Sequence, residues 1–272
     1  MERGYIPHIQ IRYKSAVVYT IPTERPNYAR HDVSKTKTYS GGMTEHAKKR
    51  IRRAVEILVM CSPAQSVWNP VSQRPCNFRL TFATITISAT TLIPHREAYE
   101  RGLKPLLRVL RTRYGWQHYI WKAELQKRGQ VHWHITGNRF LDYRYLKSEW
   151  NNIQYRNGWL REYHEKTGNW APNSVDIHAV QNVARLDLYL AKYIAKSSAT
   201  IQGKCWDTSA TLAGKKFFAT EIDHATGVNL DTAQATGKTQ KIVLENCSIY
   251  RHDAPASLLS TAAAGQFHNW KL

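Results

Sequence analysis

Two histidines separated by a single residue, His132 and His134, have the spacing of a metal-binding pair. On a β-strand, alternate side chains point to the same face, so both imidazoles could reach one ion. Further along the chain, Tyr189 and Tyr193 are four residues apart, and on a helix this spacing places two phenols on one face. A metal site with tyrosine nucleophiles indicates cleavage of a phosphodiester by a phenol rather than by water.

Two strands around a tight turn must position the metal ligands. Residues 118–126 and 130–136 read as strands, and Gly129 suits the left-handed position of a three-residue loop over 127–129. Six apolar side chains alternate along the two strands: Trp121, Ala123, Leu125, Val131, Trp133 and Ile135. If these six face the helices, Glu124 lies across from His132, and a carboxylate converges with two imidazoles. Such a set binds zinc, manganese or other divalent ions, and the residue types do not choose among them.

A helix that follows Asn182 and ends near residue 197 must carry the tyrosines. Lys192 and Lys196 share one broad face with Tyr189 and Tyr193. A core helix would explain the tyrosines alone, but it has no use for two lysines beside them. An ammonium group helps to expose the phenolate, because a phenol ordinarily has a pKa of about 10. The lysines and a divalent ion can also stabilise the charge that builds on the phosphate oxygens.

The other elements predict an α+β layer structure with an antiparallel sheet. We expect a strand over residues 78–88, a helix around 103–110, a helix that Asp142 caps and that runs to about 156, and a strand over 175–180. Residues 1–43 read as an extended arm with a short strand at 16–21, followed by a helix from Thr44 to about Met60. The tail from about residue 200 predicts one strand over 241–250 and a short helix after Pro255.

The charge balance indicates a polyanionic partner. The chain has 39 lysines and arginines against 20 acidic residues, a net charge of +19, and this excess favours nucleic acid. The helix predicted over 44–60 carries a basic run, which fits either a solvated face or a contact with the DNA backbone. We assign to DNA binding the cations of this run and one arginine of the hairpin turn: Lys48, Lys49, Arg50, Arg52, Arg53 and Arg128.

Several classes of protein are disfavoured. The four cysteines are widely spaced, which predicts free thiols in a reducing cytoplasm rather than a disulfide scaffold or a zinc ribbon. We expect no secretory signal and no membrane span, because the first residues have no apolar segment and no run approaches the length needed to cross a bilayer. Gly237-Lys238-Thr239 is not a phosphate loop, since Thr232 stands where the first glycine should be. We therefore expect no ATP.

Three segments, in order along the chain, resemble motifs one to three of the HUH rolling-circle replication initiators. They are Phe82–Ser88 (FATITIS), Glu124–His134 (ELQKRGQVHWH) and Tyr189–Lys196 (YLAKYIAK). The paired tyrosines are similar to the two-tyrosine branch found in small single-stranded DNA phages and related bacterial elements. The resemblance covers roughly residues 78–200. It leaves residues 1–77 as an N-terminal extension with a basic helix and 201–272 as a C-terminal extension that packs on the core.

The resemblance implies an RRM-like central antiparallel sheet with flanking helices, the HUH endonuclease fold. It implies a nickase dependent on Mg²⁺ or Mn²⁺ that forms a 5′-phosphotyrosine on single-stranded DNA, at an origin hairpin or nick site, and leaves a 3′-hydroxyl primer. His132 and His134 would ligate the metal with Glu124 as a third ligand. The roles implied for the third motif are nucleophiles for Tyr189 and Tyr193, and phosphate or metal-site helpers for Lys192 and Lys196. A host helicase and polymerase would act beside it in a bacterial cytoplasm.

Three alternatives stay open. A two-tyrosine HUH transposase would use the same chemistry. A non-catalytic RRM-like protein would instead stack bases on Trp116, Tyr119 and Trp121. A zinc hydrolase would use the same ligands, although the chain has no His-Glu-x-x-His helix. His118 shares the parity of Glu124, and we interpret it as a polar surface residue in preference to a fourth ligand.

Overall fold

The secondary structure is given for residues 4–23, 45–69, 72–180, 201 and 204–271, which the computed structural model describes. The strands are β1 (Tyr5–Ile11), β2 (Ser15–Pro22), β3 (Gln65–Asn69), β4 (Arg74–Phe78), β5 (Leu80–Thr86), β6 (Tyr119–Leu125), β7 (Val131–Gly137), β8 (Val175–Val180), β9 (Trp206–Thr208), β10 (Ala219–Glu221), β11 (Gln240–Val243) and β12 (Cys247–Arg251). The α-helices are α1 (Glu45–Cys61), α2 (His95–Ala98), α3 (Lys104–Tyr114), α4 (Tyr143–Arg156), α5 (Arg161–Thr167), α6 (Ala210–Ala213), α7 (His224–Ala235) and α8 (Thr261–Lys271). The predicted tyrosine helix, residues 182–197, lies outside the described residues.

The chain divides into two units. A terminal unit joins both ends of the chain, Met1–Thr38 and Lys215–Leu272, and a central unit spans Tyr39–Gly214. The functional division into residues 1–77, 78–200 and 201–272 stays a prediction. Within the described residues, no helix is long and apolar enough to cross a membrane.

The central unit contains a five-stranded antiparallel sheet in the order β8-β5-β7-β6-β9. The helical segment from α2 to α3, in which a π-helical turn at Tyr99–Leu103 joins the two helices, supplies apolar side chains to the core together with α4. Trp116, Trp121, Trp133 and Trp150 are fully buried there. The predicted α+β class, with a central antiparallel sheet and flanking helices, is confirmed.

The alternation predicted along β6 and β7 is also confirmed. Five of the six apolar side chains belong to the buried core, and Leu125 packs against it half-buried. Glu124 is paired with His132 in the antiparallel register. Gly129 has a φ of +84° in the turn, a left-handed conformation that residues with a β-carbon rarely adopt. Because the period of a strand is two, the apolar stripe on one face fixes which polar residues share the other.

Local signals also locate the helices of the central unit. The carboxylate of Asp142 accepts a hydrogen bond of 2.8 Å from the Arg144 backbone N–H and caps α4 as predicted. The predicted helices over 44–60 and 103–110 correspond to α1 and α3, and the predicted strands over 78–88 and 175–180 correspond to β5 and β8. The β3–β4 hairpin, α5 and the short elements β9 and α6 were not predicted, because each is brief and lacks a clear period.

Gly137 packs so closely against Trp116 that the site tolerates no side chain. A β-carbon added at Gly137 would lie less than 3.0 Å from three ring carbons of the fully buried indole. We expect Gly137→Ala to lower the free energy of unfolding of the central unit by about 1–3 kcal/mol, the typical cost of overpacking. Gly214→Ala is the matched control, because its nearest neighbour would lie 4.0 Å away. Equal urea midpoints for the two variants would contradict this packing argument.

The terminal unit has its own five-stranded antiparallel sheet, in the order β10-β1-β2-β12-β11. The predicted strand over 16–21 is confirmed within β2, but the interpretation of the whole N-terminal region as an extended arm is wrong, because β1 is a central strand between β10 and β2. The single strand predicted over 241–250 is also wrong. The Leu244 backbone N–H donates to the Cys247 carbonyl at 2.8 Å and closes a hairpin between β11 and β12. The helix predicted after Pro255 is a 3-10 turn over Pro255–Leu258 that precedes α8.

Candidate metal centre

Neighbouring strands β6 and β7 bring a carboxylate and two imidazoles together on the face opposite the tryptophan core. One ligand atom from each of Glu124, His132 and His134 lies within 4.8 Å of the other two. The Oε2 atom of Glu124 is 3.7 Å from the His132 Nε2 and 3.4 Å from the His134 Nε2. The predicted convergence of the three side chains is therefore observed, and the group can hold a metal ion. Their individual roles as ligands stay a prediction.

The donor atoms suit a divalent cation. The two Nε2 atoms lie 3.1 Å apart and point toward each other, an arrangement in which a shared proton or a cation satisfies both lone pairs. The Nδ1 atom of His134 lies 3.1 Å from the Thr84 hydroxyl. When Nδ1 donates its proton to that oxygen, the Nε2 lone pair of His134 is available to a metal, as in many metalloproteins. One carboxylate and two imidazoles can hold several divalent metals.

Lys122 is a member of this site that the sequence reasoning missed. Its ammonium group donates to Oε1 of Glu124 at 2.7 Å, and both side chains are largely shielded from solvent, with exposed fractions of 8% and 16%. Lys122 pairs with His134 across the two strands. The signal was present, because Lys122 has the same parity as Glu124 and must share its face. Lys122 occupies one carboxylate oxygen and leaves the other turned toward the histidines.

The surroundings of Glu124 keep it ionised. Burial acts to raise the pKa of the Glu124 carboxyl, but hydrogen bonds from His132, His134 and Lys122, together with the charge of Lys122, hold that pKa well below its ordinary value. A carboxylate is the protonation state that binds metal. The site therefore presents an anionic oxygen beside two imidazoles at neutral pH.

We expect Lys122→Met to bind Mn²⁺ about tenfold more tightly than the unmodified protein, because a fixed positive charge a few ångströms from a divalent ion is repulsive. Methionine keeps the length and apolar stem of lysine without its charge. Lys122→Arg retains the charge and should bind Mn²⁺ with unchanged affinity. Titration calorimetry measures both, with thermal melting as a check on folding. Weaker Mn²⁺ binding by Lys122→Met would show that orientation of Glu124 outweighs the repulsion.

Aromatic packing supports the histidine pair from the side of β5. The ring of Phe82 stacks on His134 with centroids 5.3 Å apart, and its other neighbour is His178 of β8, also at 5.3 Å. His178 is half exposed, and its Nδ1 lies 3.7 Å from the Asp176 carboxylate. His178 thus lies on the same side of the sheet without belonging to the group of three ligand atoms.

Two interpretations of single residues are wrong. His118 is not a surface residue, because it is buried and its Nδ1 lies 3.0 Å from the hydroxyl of Thr211 in α6. It also does not belong to the ligand group. Trp116 and Trp121 cannot stack bases, since both are fully buried. Tyr119 is partly buried, and this burial raises the pKa of its phenol. The structure therefore removes the aromatic platform of the non-catalytic alternative.

The basic residues assigned to DNA fall into two groups. Lys49, Arg50, Arg52 and Arg53 are exposed on α1, whereas Lys48 is half-buried and forms an ion pair with Glu45 at 2.6 Å. The guanidinium of Arg50 lies 5.6 Å from the ring centroid of Trp206, which β9 places beside Lys122. Arg128 instead donates to the backbone carbonyls of Ile87 and Ala89. It thereby ties the hairpin turn to the segment after β5. Their contacts with DNA stay predictions.

Fold and site together define an antiparallel-sheet protein with a candidate divalent-metal centre on the open face of its central strands. Residues 80–198 match the family model of the replication-associated proteins of the ORF2 type. The matched range is less than half of the chain, and it contains all three segments that resemble the initiator motifs. The match indicates a role in DNA replication. No curated protein and no solved structure matches the chain.

Proposed function

We propose that this protein is a metal-dependent endonuclease that nicks and rejoins single-stranded DNA to initiate rolling-circle replication. The observation that carries the proposal is the convergence of Glu124, His132 and His134 on one face of the β6–β7 pair. Its setting within a range similar to replication-associated proteins supports a DNA substrate. Tyr189 and Tyr193 belong to the same matched range.

The reaction is a transfer of a phosphoryl group from one oxygen to another. The phenolate oxygen of Tyr189 or Tyr193 attacks the phosphorus, a bond forms between them, and the bond from phosphorus to the 3′ oxygen breaks. The leaving 3′ oxygen takes up a proton and becomes a free 3′-hydroxyl, while the 5′ phosphate stays on the tyrosine. Lys192 and Lys196 help to lower the cost of the phenolate and of the negative phosphate.

The reverse reaction joins strands. A 3′-hydroxyl attacks the phosphotyrosine, restores the phosphodiester and releases the phenol, so no water and no ATP are consumed. Two tyrosines allow a second transfer before the first is resolved. Mg²⁺ or Mn²⁺ held by Glu124, His132 and His134 would supply Lewis-acid stabilisation of the phosphate charge.

The wider setting of the proposal is replication in a bacterial host cell. The net charge of +19 favours binding of the phosphate backbone, and exposed arginines of α1 and the Arg50–Trp206 pair offer charges and a ring near the site. A host helicase would separate the strands and a host polymerase would extend the 3′-hydroxyl. A two-tyrosine transposase shares this chemistry and differs in the DNA ends on which it acts.

The direct test is to capture the covalent intermediate. The protein is incubated with Mn²⁺ and a library of single-stranded DNA that contains candidate origins, labelled at either end, and then separated on a denaturing gel. We expect the 3′-labelled fragment to travel with the protein, and the 5′-labelled fragment to be released with an end that a polymerase extends. Two free fragments would instead indicate hydrolysis, as by a zinc hydrolase. Binding without cleavage would indicate a non-catalytic binder.

A further inference from the structure

The cationic side chains of the terminal unit are concentrated at one end of its sheet. Within residues 4–23 and 215–271, the lysines and arginines are Arg12, Lys14, Lys215, Lys216, Lys238, Lys241, Arg251 and Lys271. Arg12 and Lys14 form the turn between β1 and β2, where the Arg12 N–H donates to the Ser15 carbonyl at 2.8 Å. Arg251 pairs with both Ser15 and Gln240, so the start of β11 lies at the same end.

The remaining cations follow from two further contacts. The Ile11 N–H donates to the Phe218 carbonyl at 2.9 Å, which places Lys215 and Lys216, just before β10, at the end where β1 finishes. The indole N–H of Trp270 donates to the Lys216 carbonyl at 3.0 Å, so the last turn of α8, with Lys271, lies there too. We call these eight residues the basic end.

The acidic side chains are distributed differently. Glu221 pairs with His8 at the opposite end of β1, Asp223 follows it and caps α7, and Glu245 lies in the turn between β11 and β12, also away from the basic end. Asp231 lies within α7. Asp253, two residues after Arg251, is the acidic residue near the basic end among those that the structure describes. Such a separation of charge concentrates positive potential over one surface.

Aromatic rings alternate with the cations at the basic end. The Arg12 guanidinium lies 5.1 Å from the ring centroid of Phe217, and the Lys215 ammonium lies 5.3 Å from that of Trp270. Lys14 lies 6.0 Å from the ring of Tyr13. All three rings are partly exposed. Cations that follow a phosphate backbone, together with rings on which bases stack, are the features shared by proteins that bind single-stranded nucleic acid. A basic surface that only interacts with solvent would need no rings.

We infer that the basic end is a second site for single-stranded DNA, outside the range similar to replication-associated proteins. Its cations contact phosphates, and bases stack on Tyr13, Phe217 and Trp270. The site needs no metal and no tyrosine chemistry, although the choice of DNA rather than RNA rests on the proposed function. It would give the protein a grip on the strand that does not depend on the residues that cut it.

The test compares two triple variants of the full-length protein with equal changes in charge. Lys14→Gln, Lys216→Gln and Arg251→Gln remove exposed cations of the basic end, whereas the control replaces three exposed arginines of α3 and α4 with glutamine: Arg108, Arg144 and Arg156. Binding of a labelled single strand is measured by anisotropy in EDTA across a range of salt concentrations. We expect the first variant to bind at least about tenfold more weakly and its log–log salt slope to fall by about 2, since each lost phosphate contact contributes about 0.7. The control should keep both values.

A paired substitution tests stacking separately from charge. At high salt, where charges are screened, Phe217→Leu should bind about tenfold more weakly, whereas Phe140→Leu, an exposed phenylalanine of the central unit, should bind normally. Melting curves verify that both variants are folded. Equal losses in both triple variants, losses in neither, or tighter binding of an RNA of the same sequence would overturn the inference. Because these measurements exclude divalent metal, a protein that never forms the covalent adduct would refute the proposed function and leave this result intact.

Discussion

The double variant Tyr189→Phe/Tyr193→Phe is expected to form no covalent adduct with DNA and to bind the same strand with nearly unchanged affinity. Phenylalanine keeps the ring and removes only the oxygen that would attack phosphorus. Loss of a covalent nucleophile typically lowers the rate by about a thousandfold or more. Cleavage is measured with the end-labelled strand and Mn²⁺, and binding with the same strand in EDTA.

The tyrosine prediction has a matched control within the chain. Tyr145 and Tyr155 are exposed on α4, and the double change Tyr145→Phe/Tyr155→Phe removes the same two oxygens from a helix that packs against the other face of the sheet. This control should cleave at the normal rate. The single variants Tyr189→Phe and Tyr193→Phe identify the tyrosine that acts first. Continued nicking by the Tyr189→Phe/Tyr193→Phe protein would refute the assignment of the nucleophile.

The second large effect is expected from His132→Ala/His134→Ala. These changes remove two of the three converging ligands and leave Glu124 with its Lys122 partner. Loss of even an outer-shell partner typically lowers metal affinity by about 10- to 100-fold, so loss of two direct ligands should abolish detectable Mn²⁺ binding in calorimetry. Cleavage should fall with it by about a thousandfold or more, because the phosphate charge is no longer stabilised.

His178→Ala provides the control for the histidine pair. This residue lies on the same side of the sheet and contacts the same phenylalanine as His134, but it is not part of the ligand group. It should bind Mn²⁺ with normal affinity. If the His132→Ala/His134→Ala protein still binds Mn²⁺ or still cuts, the metal centre lies elsewhere. Since calorimetry needs no DNA, this result is independent of the tyrosine experiment.

The central unit could be predicted well because its sequence signals are local. The alternation of Trp121, Ala123 and Leu125 with polar residues fixes a face, and the short turn with Gly129 fixes the register, so Glu124 was correctly paired with His132. Lys122 lies on the same face, but a lone lysine in a strand usually reads as a surface residue. Its ion pair with Glu124 depends on how the neighbouring strands and α1 enclose it, which no spacing reveals.

The terminal unit could not be predicted because its pairings are distant in the chain. β1 and β2 lie near one end, whereas β10 to β12 lie about two hundred residues later. Pro7 and Pro22 favoured an extended arm, since proline cannot donate a hydrogen bond in a sheet. In the structure, both prolines lie near the ends of their strands. The charge separation at the basic end follows from this long-range pairing and from no local motif.

The sheet of the terminal unit also constrains the order of events during translation. A ribosome makes β1 and β2 first and the whole central unit next, and only then β10 to β12. The nascent chain can therefore complete the central unit while the first hairpin still lacks its partner strands. A message cut short after residue 214 would yield the predicted metal ligands without the basic end. Only synthesis beyond Arg251 joins both halves of the second surface, so the fold couples that surface to near-complete synthesis.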